Sequence, residues 1–152
     1  MNVQEEIKSL KERIAELEEQ VKEEQEFPRV GDIFYSISEI GNIESGMIWG
    51  GYPVDMDRMS IGNVFKTEDE AEFELEKLKV EAELRKLSDS WDLENTQYSF
   101  SFNWENGEFE IEYPDYNQYP NSYYFYSINS LELAIETIGK ERIKKNLFGV
   151  ED

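Results

Sequence analysis

Carboxylates are the side chains of this sequence with the widest chemical scope, because it has 35 Asp and Glu residues but no His and no Cys. Without His it lacks the commonest general base and transition-metal ligand, and without Cys as well a zinc site is not expected. Pairs of carboxylates can hydrolyse glycosides or bind Mg²⁺ and Ca²⁺. Asp55 and Asp57 lack the further ligands and glycine spacing of a calcium loop, so a solvated loop is the preferred interpretation. We therefore expect no catalytic residue, metal or cofactor.

The second half of the chain contains one long stretch of uncompensated negative charge. Between Lys86 and Lys140 there is no Lys or Arg, whereas many Asp and Glu residues lie there. This segment is either a solubilising surface or a negative face that imitates nucleic acid. The formal net charge of −20 repels phosphates and anionic lipids, so we expect a basic protein partner and no direct contact with nucleic acid or membrane.

The strongest local pattern is an alternation of apolar and polar residues around Asn106-Gly107. It predicts a β-hairpin with a two-residue type I′ turn, which pairs Trp104 with Phe109 and Phe102 with Ile111 on a core face. The other face is acidic. The Tyr residues that follow can either bind a partner or pack in the core. The predicted partner-binding residues are Glu105, Glu108, Glu110, Glu112, Asp115, Tyr116 and Tyr119.

A heptad pattern opens the chain and predicts a coiled-coil helix over residues 1–27. β-Branched residues at the a positions and Leu at the d positions favour a parallel homodimer, and the alternative is an amphipathic helix that folds back on its own domain. The predicted oligomerisation residues are Ile7, Leu10, Ile14, Leu17 and Val21.

The remaining elements complete an α+β fold, in which the coiled-coil helix is followed by antiparallel hairpins packed against helices. Pro28 marks the start of a globular domain over 28–152, with sub-units 31–87 and 96–148 that suggest a duplicated ββ(β)α unit. The first sub-unit has a hairpin over 33–49, a polar loop around residues 55–58, a short strand over 63–66, and a helix capped by Thr67 with a broad buried face. The second has a third strand over 123–126 and two closing helices, the first capped by Ser127 and ended by Gly139.

Two segments carry a resemblance to known proteins. They are residues 62–87, GNVFKTEDEAEFELEKLKVEAELRKL, and residues 130–152, SLELAIETIGKERIKKNLFGVED. Both resemble parts of small uncharacterised accessory proteins of phages and prophages of Gram-positive bacteria. Some small acidic phage proteins are anti-CRISPR inhibitors, and by that analogy the resemblance implies a role in blocking host defence.

Charge and resemblance together lead to one functional hypothesis and two alternatives. The first is a non-catalytic inhibitor of a host nucleic-acid-binding defence protein, which acts by imitating nucleic acid. The alternatives are a phage structural or regulatory module assembled through the coiled coil, and a protein that sequesters a signalling nucleotide with Arg58 and Lys66. The charged N-terminus and the absence of a run of about 18 apolar residues predict a protein of the host cytoplasm.

The charge alone yields a first prediction. The protein is expected not to bind single- or double-stranded DNA, because its net charge of −20 opposes the approach of phosphates at ordinary salt concentrations. Gel-shift assays measure this directly. Micromolar binding that weakens as salt is added would contradict it.

Overall fold

The computed structural model describes residues 2–25, 27–113, 118–119 and 122–151, apart from the side chains of residues 22–25. This part of the chain has an α+β fold with five helices and two antiparallel β-hairpins, which confirms the predicted fold class. By compactness the chain divides into a first unit, Met1–Ala71, and a second unit, Glu72–Asp152. The predicted division at residue 28, the sub-units and the duplication stay predictions.

The first unit begins with helix α1, Val3–Gln25. Strands β1, Ile33–Ile37, and β2, Ile43–Ile48, form the first hairpin, and helix α2 follows at Pro53–Ser60. Helix α3, Glu68–Leu87, crosses from the first unit into the second. The second unit continues with β3, Ser99–Asn103, β4, Glu108–Glu112, α4, Ile128–Ile138, and α5, Lys140–Phe148.

The first hairpin buries one face around Phe34. Its ring meets that of Trp49 edge to face, with the centroids 5.8 Å apart. The predicted strand over 63–66 is wrong, because only Phe65 pairs with β1, through two backbone hydrogen bonds of 2.9 Å with Tyr35. The Asn63 side chain takes the place of a strand backbone, since it accepts from the Ile37 N–H and donates to the Ile37 carbonyl.

Helix α2, Pro53–Ser60, stands where the sequence predicts a polar loop around residues 55–58. Pro53 occupies the start of the helix, where the missing N–H costs nothing. Two residues on, the Asp55 carboxylate accepts hydrogen bonds from the backbone N–H groups of Gly50 at 3.1 Å and Tyr52 at 3.2 Å. Asp55 is buried and lies 3.6 Å from Arg58, so it is a structural residue that holds the loop onto the helix.

Helix α3 begins as the sequence predicts. Thr67 accepts from the Glu70 N–H at 3.2 Å, and Glu70 accepts from the Thr67 N–H at 3.3 Å, which is a capping box. Burial differs from the prediction: Ala71, Val80 and Leu84 are buried, while Leu78 is 43% exposed. At about 100° per residue, Ala71 lies on the opposite side of the helix from Val80 and Leu84, so α3 buries two separate patches. The prediction of one broad buried face is therefore wrong.

The core of the second unit lies between α3, α4 and α5, and the second hairpin packs on it. Its fully enclosed residues are Val80, Leu84, Phe125, Leu131, Ala134, Ile138 and Ile143. Helices α4 and α5 follow the predicted pattern. Ser127 caps α4 by accepting from the Ser130 N–H at 3.1 Å, and Gly139 ends it with φ 103°, a backbone angle that favours glycine.

The second hairpin is present, but its predicted register is wrong by two residues. Phe102 pairs with Phe109, and Phe100 pairs with Ile111. Trp104 lies in a four-residue connection, Trp104 to Gly107, and is exposed instead of pairing with Phe109. The Asn103 side chain accepts from the Glu105 N–H and so starts a wider turn than the type I′ turn. A shift of two residues preserves both faces.

The third strand predicted over 123–126 is reduced to two isolated pairs. Phe125 exchanges backbone hydrogen bonds of 2.7 and 2.8 Å with Tyr98, and the Asp89 N–H donates to Tyr124. The Asp89 carboxylate accepts from the Tyr126 N–H at 2.8 Å, in place of a further strand partner. Asp89, one of the carboxylates between Lys86 and Lys140, therefore has a structural role.

The role of Asp55 leads to a second prediction. Asp55→Ala should lower the free energy of unfolding by about 2 kcal/mol, because it leaves two partly buried N–H groups without an acceptor. Asp57→Ala, at an exposed position of the same helix, should change it by less than about 0.5 kcal/mol. Urea unfolding followed by circular dichroism measures both. Equal effects of the two substitutions would contradict the assignment.

Candidate functional site

The acidic hairpin, defined here as β3, β4 and the connection between them, exposes the predicted binding carboxylates. Glu108, Glu110 and Glu112 alternate along β4 with Phe109 and Ile111, which turn toward the core. Residues two apart on a strand are separated by about 7 Å, twice the rise per residue. The strand therefore presents a row of regularly spaced carboxylates to solvent.

Two of these carboxylates are held in place by the neighbouring strand. Asn103 donates a hydrogen bond of 2.6 Å from its amide to Glu110, and the Ser101 hydroxyl donates to Glu112. Each pair lies on a diagonal across the hairpin, because the backbone partner of Ser101 is Glu110. A carboxylate has about four lone-pair sites, so each keeps capacity for a further donor.

Glu108 differs from the other two. Its carboxylate forms an ion pair with the Lys140 ammonium at the start of α5. The pKa of Glu108 lies below its ordinary value, because Lys140 donates a hydrogen bond to it and because Lys140 and Lys144 are positively charged. The three glutamates are therefore not equivalent, and within the described ranges Glu110 and Glu112 have no ion pair to offset their charge.

The tip of the acidic hairpin combines charge with an exposed aromatic ring. Trp104 is 67% exposed, although its ring meets Phe102 edge to face at 5.1 Å. Glu105 follows it in the exposed connection. Trp side chains are over-represented among residues that dominate binding energy at protein interfaces. The tip thus adds an aromatic anchor to the acidic row.

The Tyr residues that follow the acidic hairpin divide between core and surface. Tyr124 is buried against Trp91, and its hydroxyl accepts from the Tyr119 N–H at 2.7 Å. Tyr119 and Tyr113 keep more than half of their surface exposed. Asp115 and Tyr116 lie outside the described residues. Of the predicted binding residues, Glu105, Glu108, Glu110 and Glu112 are therefore placed on one hairpin, with Tyr119 in the loop that follows it.

An open groove of 370 Å³ lies between the acidic hairpin and α4. Its apolar lining includes Ile111 and Ile135, and its acidic lining includes Glu110, Glu132 and Glu136. Sequence reasoning missed this feature, although Glu132 and Glu136 stand one helical turn apart beside the apolar stripe of α4. This i, i+4 spacing is the sequence feature that indicates an acidic face on α4.

The apolar seam of α1 is a second unpartnered surface. We define it as Ile7, Leu10, Ile14, Leu17 and Val21, each of which keeps 45–59% of its surface exposed in the single chain. The fold-back alternative would bury these residues, so their exposure disfavours it. Apolar side chains in a row on an exposed helix are the usual surface of a coiled coil.

The other sites considered from the sequence find little support. Among the described residues, no group of three or more acidic residues is placed to hold a metal ion. Arg58, the proposed nucleotide-binding cation, lies 3.6 Å from the buried carboxylate of Asp55. This pairing offsets part of the positive charge of Arg58, and the nucleotide-binding alternative stays a prediction.

Comparison with protein-family models, with curated proteins and with solved structures gives no match to this chain. Within the described ranges, none of the helices combines the length and apolar character needed to cross a membrane. What the fold and the surfaces define is an α+β protein with an acidic hairpin and an exposed helical seam.

The exposed seam leads to a third prediction. Leu10→Asp with Leu17→Asp should convert a dimer into a monomer, because two charges would face each other across the seam. Glu12→Lys with Glu19→Lys is the control, since both residues occupy heptad positions opposite the seam. Sedimentation equilibrium of the full chain and both variants measures the state. A protein that is already monomeric, or a dimer that survives the Asp substitutions, would contradict it.

Proposed function

We propose that this chain is a non-catalytic inhibitor, encoded by a phage or prophage, which binds a basic nucleic-acid-binding protein of the host through the acidic hairpin. The observation that carries the proposal is the solvent face of β4, where Glu110 and Glu112 stand in a row with no compensating ion pair among the described residues. Successive phosphates of a nucleic acid strand have a similar spacing. A groove that binds nucleic acid would accept such a row.

The fixed positions of the carboxylates support this role. Hydrogen bonds from Ser101 and Asn103 restrict the rotamers of Glu112 and Glu110 before a partner arrives. Side chains ordered in advance lose less entropy on binding, and charged rims raise association rates. A solubilising surface needs neither property, because mobile glutamates keep a protein soluble equally well.

The absence of a catalytic set in the sequence supports a binding role. With no His and no Cys, the chain has neither of the side chains that most often act as base or thiolate nucleophile. The exposed ring of Trp104 supplies apolar contact beside the charges. A defence protein such as a CRISPR effector has a basic channel of the required kind.

A second candidate function rests on the apolar seam of α1. In this alternative, the seam assembles copies of the chain and the second unit docks on another protein, so the chain is a structural or regulatory module. The observation in its favour is the exposure of all five seam residues. Assembly is compatible with inhibition as well, because two linked acidic hairpins would bind a repeated or symmetric target more tightly than one.

The fourth prediction concerns the acidic hairpin. The host partner is first isolated from a lysate of host cells by capture on the purified chain. Glu110→Lys with Glu112→Lys should weaken binding to this captured protein at least about tenfold, because the substitutions replace electrostatic attraction by repulsion. The affinity of the unmodified chain should also fall as salt rises. Titration calorimetry on the purified pair measures both, with circular dichroism as the test of folding.

Two controls make this experiment decisive. Glu12→Lys with Glu19→Lys changes the net charge by the same amount on α1 and should leave the affinity within about twofold. The captured protein should also bind nucleic acid, and addition of this chain should displace the nucleic acid from the captured protein. A folded hairpin variant of unchanged affinity, or a partner that binds DNA and this chain together, would contradict the proposal.

A further inference from the structure

The groove beside the acidic hairpin has an apolar floor that the fold leaves uncovered. Phe109 and Ile111 reach it from β4, and Leu131 and Ile135 reach it from α4. Leu131 is fully buried, whereas Ile135 is only partly buried. A volume of 370 Å³ is at the lower end of the range for ligand pockets, about 300–1,000 Å³. It is enough for one or two apolar side chains and too small for a large cofactor.

Carboxylates line the α4 wall of this groove. Glu132 and Glu136 stand one turn apart there, whereas Glu110 borders the groove from β4 but turns its carboxylate to the solvent face, where Asn103 donates to it. Lys140 also lines the groove, but its ammonium is paired with Glu108. The charge that an occupant meets is therefore negative along the α4 side of an apolar floor.

We propose that this groove binds a short basic amphipathic segment of a protein partner, with apolar side chains on the floor and Lys or Arg against Glu132 and Glu136. This inference rests on the proposed function, because it names the segment that the basic partner would present beside the acidic hairpin. Amphipathic segments bind grooves of this type through apolar anchors at helical spacing. The charges on the α4 wall determine which class of segment is accepted.

Charge complementarity favours this occupant over others. An acidic or uncharged peptide would leave the two carboxylates of α4 without counterions beside a partly desolvated floor. A nucleic acid or an anionic membrane would be repelled by the same groups. A cationic amphipathic segment satisfies the floor and the wall together.

The test uses three synthetic peptides of about 15 residues, each with the same helical spacing. The first has Leu on one face and Lys on the other, the second replaces every Leu by Ser, and the third replaces every Lys by Glu. Each is titrated into the ¹⁵N-labelled full chain at about 0.15 M salt, and backbone amide shifts give the affinity and the location. The Leu/Lys peptide should bind about tenfold more tightly than the Ser/Lys peptide and shift amides of β4 and α4.

Two variants probe the floor and the wall separately. Ile135→Ser removes apolar surface from the floor and should weaken only the Leu/Lys peptide, about fivefold. Glu132→Lys with Glu136→Lys reverses one wall at exposed positions and should weaken the same peptide about tenfold. Glu12→Lys with Glu19→Lys, matched in charge and placed on α1, should change the affinity less than about twofold. If Ile135→Ser does not fold, Glu132→Lys with Glu136→Lys still tests whether the peptide binds in the groove.

Each outcome separates the groove from the proposed function. Equal affinity for the Leu/Lys and Ser/Lys peptides, both weakened by Glu110→Lys with Glu112→Lys, would overturn the groove and leave the acidic hairpin in place. Equal affinity for the Leu/Lys and Leu/Glu peptides would overturn the preference for a basic segment. Failure of both Lys-containing peptides to bind would overturn the groove and remove the electrostatic basis of the proposed function. Amide shifts confined to residues outside β4 and α4 would also overturn the groove.

Discussion

The position of the acidic hairpin depends on the ring of Phe148 in the last turn of α5. Phe102 stacks on it with centroids 5.4 Å apart, Phe109 lies at 5.9 Å, and Phe100 meets it edge to face at 6.4 Å. Such pairs are worth about 0.5–1.5 kcal/mol each beyond the area that they bury. A two-stranded hairpin is marginal by itself, so this packing is what gives its outer face a fixed shape.

Positively charged side chains of α5 lie close to the acidic hairpin and offset part of its negative charge. The buried ammonium of Lys144 lies 5.8 Å from the ring centre of Phe102 and 6.0 Å from that of Phe109. Lys140 pairs with Glu108, and Arg142 joins α5 to Glu76 and Glu83 of α3. The positive charges of α5 thus stabilise the fold, while Glu110, Glu112, Glu132 and Glu136 keep their charge for solvent or a partner.

Sequence patterns predicted the elements better than the contacts between them. The heptads of α1, the box at Thr67 and the cap at Ser127 are local signals, and all three helices begin as expected. The sequence pattern does not predict helix α2, because a proline and acidic residues are also typical of polar loops, although Pro53 and Asp55 are both common types in the first turn of a helix. The register of the second hairpin depends on Asn103, whose side chain widens the turn around Asn106-Gly107. The groove could not be predicted, since it exists only where two distant segments meet.

The alternation in β3 and β4 also limits how this protein can change in evolution. An insertion or deletion of two residues within β3 or β4 would still leave the aromatic rings facing the core and the glutamates facing solvent, because side chains alternate with a period of two. An indel of one residue within a strand would turn the residues beyond it over, so that carboxylates faced the core and aromatic rings faced water. A length change in the connection from Trp104 to Gly107 leaves both faces unchanged, because a longer or shorter loop absorbs it. The strands of related hairpins should therefore differ in length by even numbers, and homologues with odd differences should have lost the acidic face or acquired a bulge.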